Sequence, residues 1–82
     1  MSMLTGAQIR AARAGLGWSV SVLAEKAGVA TKTISRLELV DGVPAGRIAT
    51  LMDVKTAFEG AGIEFIGTPD NSPGIRFLKN NG

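Results

Sequence analysis

Residues 19–38 read Ser19-Val20-Ser21-Val22-Leu23-Ala24-Glu25-Lys26-Ala27-Gly28-Val29-Ala30-Thr31-Lys32-Thr33-Ile34-Ser35-Arg36-Leu37-Glu38, and the order of small, apolar and polar positions in them decides the fold. Ser19 is an N-cap, and Leu23, Ala24 and Ala27 form the inward stripe of a helix of about eight residues. Gly28 ends it by taking the left-handed conformation that glycine adopts at low cost, and Val29 anchors the turn. Trp18, just before the cap, is placed to staple onto Leu23. A second short helix over about 30–38 sends Ile34 and Leu37 inward while Thr31, Lys32, Ser35 and Arg36 face elsewhere. Ala24 is small enough to let that helix cross close above it.

Outward from this pair, Thr5 and Gln8 form a capping box with Leu4 and Ile9 as its staple. Ile9, Ala12 and Leu16 then recur at helical spacing with Arg10 and Arg13 between them until Gly15 and Gly17 stop the run, giving a helix over about 5–15. Asp41 to Gly46 is rich in turn formers. A further helix over about 47–61 carries Ile48, Leu51, Val54 and Phe58 on one face and closes at Gly60 or Gly62. Ile63–Ile66 and Ile75–Leu78 read as two strands flanking a loop over 67–74. Two strands alone are barely stable in water, so they pack on the helices, pair with another chain, or both. The chain thus divides into 1–62 and a β-strand tail, 63–82, within one compact domain. Gly60-Ala61-Gly62 follows a helix rather than a strand and lacks the setting of a dinucleotide-binding turn. Asp70-Asn71-Ser72 lacks the spacing of a calcium loop and reads as a plain turn.

Composition narrows the chemistry. Eighty-two residues make one small domain and exclude a two-domain enzyme. The chain has no cysteine, histidine or tyrosine. That removes disulfides, the usual zinc ligands and the commonest general bases, so no metal, no cofactor and no enzymatic activity is expected. Asp53 and Glu59, six apart on a helix, do not share a face. A hydrophobic content of 45% and a mean hydropathy of +0.22 point to apolar surface that a partner covers. Net charge is +2, divided into a basic part before residue 48 and a faintly acidic remainder. No apolar run is long enough to span a membrane and no leader opens the chain, so a cytoplasmic location is expected, with no membrane partner and no small-molecule substrate.

Two short helices around a glycine turn fit best a helix-turn-helix, whose second helix enters the DNA major groove, although such pairs also occur in plain packing roles. Leu23-Ala24-Glu25-Lys26-Ala27-Gly28-Val29 followed by Thr33-Ile34-Ser35-Arg36-Leu37-Glu38 resembles the Cro/C1-type (Xre family) helix-turn-helix transcriptional regulators. Ile9-Arg10-Ala11-Ala12-Arg13 and Gly17-Trp18-Ser19 are similar to that family's first helix and its link to the second. The resemblance covers roughly residues 5–60. It implies a mainly α, lambda-repressor-like domain of four to five helices, here followed by a C-terminal pair of short β-strands.

It also implies roles. Thr31, Lys32 and Arg36 become the side chains that reach base edges, where arginine and lysine suit guanine and threonine suits either a polar edge or the thymine methyl. Ser19, Thr33, Ser35 and Arg47 fall to the DNA backbone. Arg13 in the first helix and Glu38 at the end of the third correspond to an ion pair that orients the reading helix. Val20 departs from the family's glutamine and Ala30 from its serine or threonine cap, which removes one phosphate contact and about 1 kcal/mol of capping. One short helix makes too few base contacts for specificity, so a homodimer on a palindromic site is expected, joined through residues 63–78, whose strand edge can pair with its symmetry mate. The alternative is an antitoxin-like or adaptor protein using Val20, Val22 and the strands to bind another protein, because fold does not dictate function.

Overall fold

A computed structural model of the chain describes residues 4–78; residues 1–3 and 79–82, the outer ends of the expected 1–62 and 63–82 units, lie outside the described residues. Four helices and a hairpin follow in order: α1 (Gly6–Leu16), α2 (Val20–Ala27), α3 (Thr31–Leu37), α4 (Ile48–Gly60), β1 (Ile63–Thr68) and β2 (Asn71–Phe77). The mainly helical architecture with a C-terminal strand pair is the one the sequence predicts.

Local chemistry accounts for most of the boundaries. Thr5 caps α1 through the N–H of Gln8 while the Gln8 side chain accepts from the Thr5 N–H, which is the expected box. Ser19 caps α2 by accepting from the Val22 N–H at 3.1 Å. Gly17 and Gly28 close α1 and α2 with φ of 69° and 71°, and the next residue in each case donates its N–H to the carbonyl five back, Trp18 to Arg13 and Val29 to Ala24.

The core is one cluster drawn from every helix and from β1. Ile9 and Ala12 of α1, Leu23 and Ala24 of α2, Ile34 and Leu37 of α3, Leu51, Val54 and Phe58 of α4 and Ile63 of β1 are all buried. Phe58 sits at its aromatic centre, stacked on Trp18 at 5.6 Å and edge-to-face with Phe65 at 5.8 Å. One ring therefore joins α4, the α1–α2 link and β1.

Three details differ from the sequence reading. Ile48 is 55% exposed rather than buried with Leu51, Val54 and Phe58. At 100° per residue it stands roughly 90° round the helix from the centre of that stripe, on the first helical residue. Gly15 does not stop α1 but lies inside it, under the ring of Phe77, where an added Cβ would come within 2.1 Å of Phe77 Cζ. The strands are longer than expected and leave only Pro69 and Asp70 between them, with Leu78 just past β2. Pairing continues across a bulge in which Ser72 and Pro73 of β2 stand against Gly67 of β1, with φ of 76° at Gly67 and 54° at Ser72.

The antiparallel register sets Ile63 opposite Phe77 and Phe65 opposite Ile75 on the face toward the helices, and Glu64 opposite Arg76 on the outer face. Glu64 and Arg76 form an exposed ion pair at 2.8 Å. β2 packs on α1 and β1 on α4. Phe58→Ala is expected to cost about 3–5 kcal/mol, a large share of the stability of a domain this size. Urea unfolding followed through the emission of Trp18, the single tryptophan, measures it.

Candidate nucleic-acid interface

α3 has seven residues, two turns, and its apolar positions are three apart: Ile34 and Leu37 are buried, and Val29 packs against the same core. That spacing turns Thr31, Lys32, Ser35 and Arg36 outward. All four are exposed, and Thr33 is half-buried beside them. Ala30 occupies the cap position and contributes no side-chain hydrogen bond, while Thr31 is the first helical residue and does not act as the cap.

The end of α3 is held from α1. Arg13 grips the Glu38 carboxylate with two parallel bonds, Nε to Oε2 at 2.8 Å and Nη2 to Oε1 at 2.9 Å, and its Nη1 donates to the Trp18 carbonyl at 3.1 Å. Glu38 is largely buried there, so the pair fixes geometry as well as charge. The hydrogen bond to Glu38 raises the Arg13 pKa above the ordinary arginine value. One turn earlier, Arg10 donates to the Glu38 carbonyl at 2.6 Å and the Val40 carbonyl at 3.3 Å and pairs with Asp41. Two cations thus meet the carbonyl end of α3, where the helix dipole is negative. The loop after α3 is pinned further by the first amides of α1, Gly6 to the Gly42 carbonyl at 2.8 Å and Ala7 to the Asp41 carbonyl at 3.4 Å. Gly6 has no room for a side chain, since a Cβ would lie 1.8 Å from the Val40 oxygen.

This arrangement sorts the basic residues. Arg10 and Arg13 are occupied inside the fold, and the Lys26 ammonium lies 5.2 Å from the centre of the Trp18 ring. Among the described residues Lys32, Arg36 and Arg47 make no ion pair. Arg47 stands at the start of α4, just before its first turn. Thr33, Arg36, Arg47 and Thr50 line a cleft of about 370 Å³ between α3 and α4, with Leu37 and Gly46. Two guanidinium groups and two hydroxyls around one open cleft suit an anionic partner.

Of the sequence-derived positions, Thr31, Lys32, Ser35 and Arg36 share the exposed side of α3, and Thr33, Arg36 and Arg47 share the cleft. Ser19 lies apart at the head of α2, with its hydroxyl engaged as the cap. Val20 and Val22 are half-buried, and Val20 packs against the core, so they form no open apolar surface. Thr50 was not foreseen because nothing in the sequence folds the start of α4 against α3. The partners of Arg10 were missed too, although its position three residues from Arg13 on one helix face was a usable signal.

A family model described as helix-turn-helix matches residues 9–55, more than half of the chain. No curated protein and no solved structure matches.

Arg13→Lys keeps the charge but loses the two-pronged grip, and is expected to lower unfolding stability by about 2 kcal/mol in urea titrations. Because the folded pKa of Arg13 is raised, its contribution is fully present below the unfolded value and fades only as pH rises through the folded one. Its effect on stability should therefore stay constant from neutral pH into strongly alkaline solution. Ala30→Ser supplies the missing cap and is expected to stabilise the protein by about 1 kcal/mol.

Proposed function

Because the chain belongs to the Cro/C1-type helix-turn-helix family, whose model spans residues 9–55, we propose that it is a sequence-specific DNA-binding transcriptional regulator of the cytoplasm. The observation that carries the reading is the division of labour among its basic residues: Arg10 and Arg13 brace the end of α3, while Lys32 and Arg36 on its open side make no ion pair among the described residues.

In this reading α3 lies in the major groove. Arg36 and Lys32 donate to guanine O6 and N7, and Thr31 reads a neighbouring edge. Arg47, Thr33 and Ser35 meet phosphates and set the register, with Ser19 at the head of α2 as a further contact. Two turns of helix read only a few base pairs. The regulator therefore acts as a homodimer on a palindromic operator, its two α3 helices one DNA turn apart, about 34 Å. The hairpin, residues 63–78, brings in the second copy. Ile63, Phe65 and Ile75 pack against the helices and Phe77 rests on Gly15, which leaves the strand edges and Leu78, half exposed just past β2, for the partner.

Leu39, 80% exposed directly after α3, favours a second reading as an adaptor or antitoxin-like protein that docks on another protein. Selection of bound sites from random duplex DNA separates the two. The regulator enriches a palindrome with half-sites about 10 base pairs apart, and the adaptor enriches nothing.

On the selected site, Arg36→Ala is expected to cost about 1–3 kcal/mol and to relax preference at one base position. Equal loss on all sequences assigns Arg36 to the backbone instead. A salt titration should give a log–log slope of about −0.9 for each phosphate neutralised, and a flat response rules the phosphate contacts out.

A further inference from the structure

The family match begins at residue 9 and ends at residue 55, yet Gln8 and the hairpin are bonded to each other across that span. Gln8 is buried and uses both ends of its amide. Its Oε1 accepts from the Thr5 N–H at 2.9 Å and the Thr5 hydroxyl at 3.2 Å, which closes the cap of α1. Its Nε2 donates to the Ile66 carbonyl at 3.3 Å and the Gly74 carbonyl at 2.8 Å, one rung of the hairpin taken from both strands. A glutamate serves a capping box equally well but has no proton to give at neutral pH, so the cap alone does not call for glutamine here.

A second anchor lies farther along α1. The ring of Phe77 rests on Gly15, where no Cβ fits. From Gln8 to Gly15 the helix rises about 10 Å, and from Gly74 to Phe77 the strand advances about 10 Å. β2 therefore lies along α1 and is fastened at both ends. The same helix carries Arg10 and Arg13, which hold Glu38 at the end of α3.

We infer that Gln8 is a positioning residue: by joining the cap of α1 to both hairpin strands it sets the placement of α1, and through Arg10 and Arg13 the placement of α3, so that the hairpin is a working part of the reading unit. This rests on the DNA-reading role proposed above. It makes the hairpin necessary to a single copy, apart from any pairing with a second.

Gln8→Glu tests it, because the glutamate keeps the acceptor for Thr5 and loses the donor to the hairpin. On a duplex holding one half-site, where no second copy is needed, this variant is expected to bind about 3- to 10-fold more weakly at neutral pH. As the pH is lowered the buried carboxyl takes up its proton, donates again, and affinity returns toward wild type. The charged groups on the neighbouring elements, Arg10 on α1, Glu64 on β1 and Arg76 on β2, are the same in both proteins, so the ratio of their affinities isolates position 8. Wild-type affinity at neutral pH overturns the inference. If Gln8→Glu does not fold, Phe77→Ala, at a half-exposed ring, is expected to weaken half-site binding about twofold or more, and no change overturns it. Exchange of the Arg13 Nε proton gives a readout without DNA. It should quicken in Gln8→Glu even if no duplex is bound, in which case the DNA reading falls and the joint stands; unchanged exchange overturns the joint.

Discussion

Everything in this domain is arranged around a helix that cannot stand by itself. α3 has two turns, and an isolated helix of that length is far below what cooperative helix formation sustains in water. It also lacks a side-chain cap. Its order comes from outside: Ile34 and Leu37 bury its inner edge, and Arg13 and Arg10 take hold of Glu38 by its carboxylate and its carbonyl. The outer side chains need make no contribution to stability, which leaves them available for recognition.

The parts legible in the sequence are those whose causes lie within a few residues. The box at Thr5 and Gln8, the cap at Ser19 and the left-handed glycines at 17 and 28 all follow from neighbours in the chain, and so do the inward positions of α2 and α3. The misread features have distant causes. Gly15 reads as a helix stop because its reason for being glycine is Phe77, and Gln8, which does form the cap it reads as, has a second role at the hairpin that nothing nearby in the chain signals. Ile48 reads as core because periodicity gives the angle of a side chain and not where the neighbouring layer ends. In the candidate site, the exposed side of α3 was readable from a three-residue apolar spacing. The cleft it shares with Arg47 and Thr50 was not, since it depends on how the loop from Asp41 to Gly46 returns the chain.

The charge arithmetic gains meaning from the same geometry. Six basic residues before position 48 suggest a broadly attractive surface, but two are neutralised by Glu38 and Asp41 and a third lies over Trp18. What remains outward is a small cluster, Lys32, Arg36 and Arg47. A chain with few free cations binds duplex DNA weakly when the sequence is wrong, because non-specific binding is almost wholly phosphate neutralisation. If α3 reads DNA as proposed, so small a free cluster beside it favours discrimination over raw affinity.

The bond between Gln8 and Gly74 also bears on the order in which the protein comes into being. Its two ends are 66 positions apart. A growing chain presents the α1 segment well before the groups that complete its surroundings, the Ile66 and Gly74 carbonyls and the Phe77 ring. Contacts of such separation are slow to form and leave earlier segments waiting with unsatisfied groups. A chain cut short before the hairpin therefore leaves the Gln8 amide and the surface over Gly15 without their partners.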